Sequence, residues 1–284
     1  MKKIILLLKV AAAAACCFLV FSPVQVMAQA DTVNLTVAEQ SKKGLNLGAL
    51  PAVAFDSDIG FQYGLLANLF QYGDGTVYPD YRWSLYAEWS RTTKGSGINQ
   101  VFFDSKYLLP HHIRVTADFS FLTEQALDFY GFNGYESIYN PSFTDEEDPA
   151  YITRVFYRHE RKLARITLDF QQKIGDLPLR WAAGYGFFNS RIGSVDIEKL
   201  NKGRDEEDLL PEEEGLYDKY VKWGLIPAEE ADGGTHNFLK AGLVYDTRDN
   251  EPNPNRGIWS EMVIMTAPRF LGNSETAYTK LALT

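Results

Sequence analysis

An all-β fold, a transmembrane antiparallel β-barrel with about ten strands present, is what this 284-residue sequence predicts. Three observations carry that expectation. Apolar and polar residues alternate with period two in run after run, as on a strand with one greasy face. The runs are about nine to twelve residues long, the length a tilted strand needs to cross a bilayer. The connections are alternately tight and long, as in outer-membrane barrels with short periplasmic turns and long external loops.

The amino terminus reads as an address. Lys2 and Lys3 precede an apolar stretch that runs unbroken from Val10 to Phe21, followed by Pro23 and the small-residue pattern Ala28-Gln29-Ala30. That order predicts a secretory signal peptide over 1–30, and the apolar run is too short for a spanning helix of roughly 20 residues. A membrane anchor and a lipoprotein signal through Cys16 are the alternatives. A short periplasmic segment, 31–43, is expected before the barrel domain at 44–284. Removing the signal takes away both cysteines, Cys16 and Cys17, so no disulfide or thiolate-bound metal is expected in the mature chain. It also takes away Lys2, Lys3 and Lys9, leaving a mature charge of −12. An acidic surface repels phosphates, so no nucleic-acid partner is expected.

The strands follow in order. The first is expected at about 46–55, before the turn Asp56-Ser57-Asp58. In the second, 59–70, Ile59, Phe61, Tyr63, Leu65, Ala67 and Leu69 alternate with mostly small or polar residues. In the third, 81–90, Tyr81, Trp83, Leu85, Ala87 and Trp89 oppose Arg82, Ser84, Tyr86, Glu88 and Ser90. The fourth is expected at 98–108. In the fifth, 113–122, Val115, Ala117, Phe119 and Phe121 oppose Arg114, Thr116, Asp118 and Ser120. The sixth, 151–172, is long enough to hide a turn near Glu160-Arg161-Lys162. The seventh, 179–189, sets Leu179, Trp181, Ala183, Tyr185 and Phe187 against Arg180, Ala182, Gly184, Gly186 and Phe188. Runs at 236–246, 258–267 and 276–284 alternate less strictly.

Two architectures share this signature. A soluble sandwich or lipocalin-like barrel turns its apolar face inward, whereas a transmembrane barrel turns that face to lipid and its Arg, Asp, Glu and Gln to a wet lumen. Tyr81 and Trp89 near strand ends favour the second, because amphipathic rings are stable at lipid headgroups.

The joint between the eighth and ninth strands has its own chemistry. In Tyr245-Asp246-Thr247-Arg248-Asp249-Asn250-Glu251-Pro252-Asn253-Pro254-Asn255-Arg256-Gly257, Asp246 and Asp249 can accept backbone N–H bonds as Asx-type caps. Pro252 and Pro254 stiffen the segment, Gly257 permits a backbone angle other residues avoid, and Arg248 and Arg256 can neutralise the carboxylates. These residue types predict a structural staple between strands, with a ligand site as the alternative.

Tyr245-Asp246-Thr247-Arg248-Asp249-Asn250, followed by Pro252 and then Arg256-Gly257, resembles the periplasmic turn of the bacterial surface antigen family, the BamA/TamA-type outer-membrane assembly proteins. The opening strand ending Pro51-Ala52-Val53-Ala54-Phe55 and the Gly-rich strand Gly60-Phe61-Gln62-Tyr63-Gly64 are similar too, and the resemblance spans about 44–284. Phe129 to Gly134 and Leu200-Asn201-Lys202-Gly203 look most like its single-domain branch, which lacks periplasmic domains. The resemblance implies a complete barrel of about sixteen strands, of which this chain holds the first ten. Roughly six more, and an Arg-Gly-Phe/Tyr loop, are expected past Thr284. It also implies an outer-membrane location, contact with outer-membrane lipid and lipopolysaccharide, a role in outer-membrane protein or envelope assembly, and client outer-membrane proteins as partners. A passive or substrate-binding pore and a surface lipid hydrolase are the rival functions.

The long loops carry charge rather than recognisable chemistry. Residues 196–232 hold thirteen acids against five bases. Leu216, Tyr220 and Trp223, with Val221 and Leu225, have rough helical spacing and predict a short helix over the barrel mouth. The stretch is read as a solvated loop, with a lid or cation site as alternatives. Asp56-Ser57-Asp58 begins like a calcium loop, but Gly60 replaces a ligand and Ala67 sits where the bidentate Glu belongs. Adjacent His111 and His112 point apart on a strand and belong on a turn surface. There is no Gly-x-Ser-x-Gly elbow, no phosphate loop and no His-Glu-x-x-His pair. His159 beside Glu160, and Asp118 or Asp169 in the lumen, are the only acid–base candidates. No catalytic residue, metal or cofactor is expected.

Overall fold

A computed structural model describes residues 41–132, 138–249, 251, 254–273 and 277–284. The expected signal peptide, residues 31–40 of segment 31–43, and Asn250, Pro252 and Asn253 of the turn lie outside the described residues.

Ten strands form one antiparallel sheet in which every strand pairs with its neighbours in sequence. They are β1 (Leu45–Asp56), β2 (Gly60–Gln71), β3 (Trp83–Thr92), β4 (Gly97–Ser105), β5 (Arg114–Asp128), β6 (Arg158–Lys173), β7 (Leu179–Gly193), β8 (Gly233–Asp246), β9 (Trp259–Ala267) and β10 (Tyr278–Leu283). Among the described residues β1 and β10 do not pair, so the sheet is not closed. Each strand coincides with a predicted run, and three details differ. Tyr81 precedes β3 instead of opening it. β5, β7 and β8 reach 14 to 15 residues and so overshoot the expected length at the long-loop end. β6 starts at Arg158 and runs unbroken through Glu160-Arg161-Lys162. Residues 151–157 were expected to be strand because Ile152, Val155, Phe156 and Tyr157 are strand-prone. Instead Val155, Phe156 and Tyr157 are buried in a turn closed by Phe156 N–H to Thr153 O at 3.0 Å and Arg158 N–H to Val155 O at 2.9 Å.

Register turns the separate alternations into two continuous faces. Leu47, Leu69, Leu85, Phe103, Ala117, Leu168, Tyr185 and Leu239 stand side by side across eight strands. The next row holds Ala49, Ala67, Ala87, Val101, Phe119, Ile166 and Phe187. A one-residue slip anywhere would have mixed the faces. This apolar face is the open one: Phe119 is 53% exposed, Leu65 53% and Ile264 48%. The opposite face is polar and covered, with Ser90 at 0%, Asp104 at 1% and Ser120 at 6%.

Two ties require the sheet to curl toward the polar face. Asp58, in the β1–β2 turn, meets Arg154 at 3.4 Å and Arg158 of β6 at 3.7 Å. In a flat sheet β2 and β6 lie about 19 Å apart, at roughly 4.8 Å per strand. Arg204, in the β7–β8 loop, likewise donates to Ser57 O at 3.0 Å.

The two long loops fold at one end of the sheet. α1 (Ile197–Asn201) and α2 (Leu216–Lys222) lie in the loop between β7 and β8. Asp196 caps α1 by accepting from Lys199 N–H at 2.9 Å. Leu200 of α1 is fully buried against Val155, from the β5–β6 loop, and Leu210. The loop expected to be solvated thus has an apolar core of its own. The helix predicted near 216–225 is present, but its buried residue is Tyr217, while Trp223 and Leu225 are exposed.

Candidate functional site

The polar face is built by alternation. Residues between the apolar ones in β3 to β8 all point to this side, and register makes them neighbours. Gln100 Nε2 donates to Asp118 at 2.6 Å, and Arg165 meets both Asp118 oxygens at 3.2 Å and Ser120 Oγ at 3.1 Å. Tyr86 donates to Glu88 at 2.5 Å. Lys240 on β8 reaches Asp169 on β6 at 2.5 Å, across the intervening β7. Gly184 makes that reach possible, since a Cβ there would stand 2.0 Å from Asp169 Oδ1. Asp118 and Asp169, the acid–base candidates, are therefore engaged by cations.

At the short-turn end this face closes in a larger ionic cluster. Arg114, the first residue of β5, grips Asp104 through Nε at 2.7 Å and Nη2 at 2.9 Å. Tyr81 donates to the same carboxylate at 2.5 Å. Burial and then that hydrogen bond to Asp104 push the Tyr81 phenol up to about 12. Glu251, in the β8–β9 turn, stands among three cations from other parts of the sheet: Arg180 at 3.0 Å, Arg114 at 3.2 Å and Lys106 at 3.4 Å. Burial acts to raise its carboxyl, but those three charges outweigh it and hold Glu251 below the usual glutamate range. The β8–β9 turn is in this way folded back over the ends of β5 to β7.

The predicted turn residues divide between this cluster and the turn's own frame. Asp246 Oδ1 accepts Arg248 N–H at 3.2 Å, and its carboxylate takes the Arg248 fork at 2.9 and 3.0 Å. Arg180 reaches it at 3.5 Å. Asp249 Oδ1 accepts from Asn255 N–H at 3.0 Å and Arg256 N–H at 3.3 Å. Asp246 therefore forms the expected Asx-type cap, while Asp249 accepts its backbone N–H bonds from the far side of the turn. Gly257 has φ 104°, and a Cβ there would meet the Thr247 carbonyl oxygen at 2.3 Å. The expectation for Arg256 is corrected. It holds Asp249 through main-chain bonds, its own carbonyl accepting from Asp249 N–H at 3.2 Å, and its guanidinium is within ion-pair distance of no carboxylate among the described residues. Tyr245 points the other way, 41% exposed on the apolar face. Glu251, the residue that joins the turn to the cluster, was not singled out from the sequence. Its partners lie 71 to 145 positions away, and only the odd acid in a Pro/Asn-rich turn hinted at it.

The long-loop end holds the acids of 196–232. A cavity of about 650 Å³ is lined by Glu198, Glu212, Glu213, Glu214, Asp218 and Asp232, with Val155 and Tyr217 among its apolar walls. Among the described residues, no group of three or more His, Cys, Asp or Glu is placed to hold a metal ion. His159 sits below the cavity in an aromatic setting, stacked on Tyr217 with centroids 5.5 Å apart and edge-on to Phe129 at 5.8 Å. His111 and His112 occupy a turn, both at positive φ, where His112 packs edge-on against Tyr107. No protein-family model matches this chain, and no curated protein matches it.

Proposed function

We propose that the chain forms the wall of a membrane-spanning β-barrel in the bacterial outer membrane and serves in outer-membrane protein or envelope assembly. One observation carries the membrane part: ten strands present an exposed apolar face and a covered polar one, the reverse of a water-soluble sheet. In water this arrangement exposes row upon row of leucine and aromatic surface. In lipid the same rows are solvated, every interior strand satisfies its backbone groups through its neighbours, and the ion pairs of Asp104, Asp118 and Asp169 lie on the wet side.

The assembly part rests on the resemblance of the Tyr245–Gly257 turn and the opening strands to the surface antigen family. The turn's caps and its ionic anchor through Glu251 suit a rigid joint on the periplasmic side. The test is insertion of a radiolabelled client barrel into liposomes with and without the purified protein. Faster client insertion, lost when the β8–β9 turn is replaced by a Gly/Ser loop, is the expected result; unchanged insertion rejects the role. The charged polar face supports a second reading, a passive or substrate-binding pore. Solute flux in a liposome swelling assay, with client insertion unchanged, would select it.

A further inference from the structure

We propose that the apolar face carries a docking site for the diphosphorylated glycolipid of lipopolysaccharide, with Arg91 as one phosphate station and Lys162 with Arg191 as the other. The inference rests on the membrane reading above and adds a specific lipid to it.

The row next to the apolar rows on the long-loop side runs Arg91, Gly97, Thr123, Lys162 and Arg191 across β3 to β7. Lys162 and Arg191 are direct cross-strand partners. Both side chains are exposed, and like charges directly opposite on a sheet repel unless an anion joins them. Glu160 reaches Lys162 at 3.6 Å, one carboxylate for two cations. Arg91 lies flat over Gly97, where a Cβ would meet its side chain at 2.7 Å. It is held there by Asn99 Oδ1 and Ser90 O, each accepting at 2.7 Å, with its guanidinium carbon 5.4 Å from the Trp89 ring centre. With Ile98 O accepting at 3.3 Å as well, four neutral contacts fix this guanidinium, and among the described residues no carboxylate is within ion-pair distance of it. It is oriented, charged and unneutralised.

Directly beside this row is an apolar groove of about 540 Å³, walled by Leu65, Trp89, Phe119, Phe121 and Ile166 and floored by Ala67 and Ala87. Bulky side chains flank small ones, which leaves a channel suited to a hydrocarbon chain. A groove for acyl chains ending under a row of cations matches an anionic lipid. Two stations select the source. Arg91 and Lys162 are three strands apart, about 14 Å at roughly 4.8 Å per strand, farther than a single phosphate bridges. A headgroup with two separated phosphates serves both.

The test uses the mature protein in phosphatidylcholine nanodiscs doped with lipid A, monophosphoryl lipid A or phosphatidylglycerol, with bound lipid counted by native mass spectrometry. Lipid A is expected to be retained about tenfold more strongly than either single-phosphate lipid, as loss of one charge-assisted phosphate contact implies. The Arg91→Gln/Lys162→Gln/Arg191→Gln variant should lose that preference while keeping heat-modifiable gel mobility. Equal retention of the three lipids by the wild-type protein, a comparison that needs no variant, overturns the site, as does undiminished preference in the triple variant. Protein that inserts yet keeps no lipid A overturns the site alone. Protein that stays out of the bilayer overturns the membrane reading as well.

Discussion

The two ends of the sheet differ in what dominates their packing. At the short-turn end, Asp104, Asp246 and Glu251 are threaded among Arg114, Arg180, Lys106 and Arg248, beside a ring cluster of Phe70, Tyr72, Tyr78 and Tyr81. At the long-loop end, Val155, Leu200 and Leu210 form an apolar nucleus beneath an aromatic layer of Phe129, Tyr217 and Tyr220. The first end is ordered by direction, since each carboxylate has defined donors. The second is ordered chiefly by exclusion of water around Leu200. Acid and charge substitution should loosen the first, and cavity formation the second.

The largest effect is expected from Leu200→Ala. Leu200 is fully buried, and its truncation should cost the cap about 2–4 kcal/mol. Limited proteolysis would then cut within 196–232 while the detergent-resistant sheet survives; simultaneous loss of both would show that the cap is not independent. Next, Asp104→Asn removes the 1%-exposed carboxylate that Arg114 grips with two bonds, leaving it only Glu251, and should cost about 2–3 kcal/mol in denaturant unfolding. Leu200→Ala should leave the proteolytic pattern of the short-turn end unchanged, and Asp104→Asn that of the cap.

Glu251→Gln should be milder, about 1–2 kcal/mol, because its partners are part-exposed. Its pH signature is sharper. The folded-state carboxyl lies below its unfolded value, so its stabilisation is complete above the usual glutamate pKa and is lost as pH falls through the lowered folded value. Wild-type stability should therefore fall more steeply than that of Glu251→Gln on acidification below the ordinary glutamate range; parallel curves would mean that Glu251 is not charged in the cluster. Arg256→Ala should change stability by less than about 0.5 kcal/mol, since only its main chain is used, against about 1 kcal/mol for Arg248→Ala. Equal costs would restore a side-chain role for Arg256.

The strands were legible because their signal is local. Alternation in β2, β3, β5 and β7 needed no partner to be read, and the turn at 56–58 announced itself through Asp56, whose Oδ1 accepts Asp58 N–H at 2.8 Å. Failures came where distant burial overrides a local pattern. Val155, Phe156 and Tyr157 look like strand, yet they serve the cap, and Leu210 is buried only because α1 lies beside it. The Asx frame of the β8–β9 turn was readable from Asp246, Asp249 and Gly257. Glu251 was not, because its meaning is set by Arg114, Arg180 and Lys106 from three other segments. Arg256 shows the converse: a charge beside an acid suggested a pair, while the main chain made the bond.

Everything functional depends on which face meets lipid. Spin labels introduced singly along β6 in nanodiscs, by Ile166→Cys, Thr167→Cys and Leu168→Cys, measure this directly through collision with oxygen and with a water-soluble nickel chelate. High oxygen and low nickel accessibility at 166 and 168, reversed at 167, is the expected alternation. Nickel accessibility at 166 and 168 as high as at 167 would mean that the apolar face is in water, and the account would be wrong.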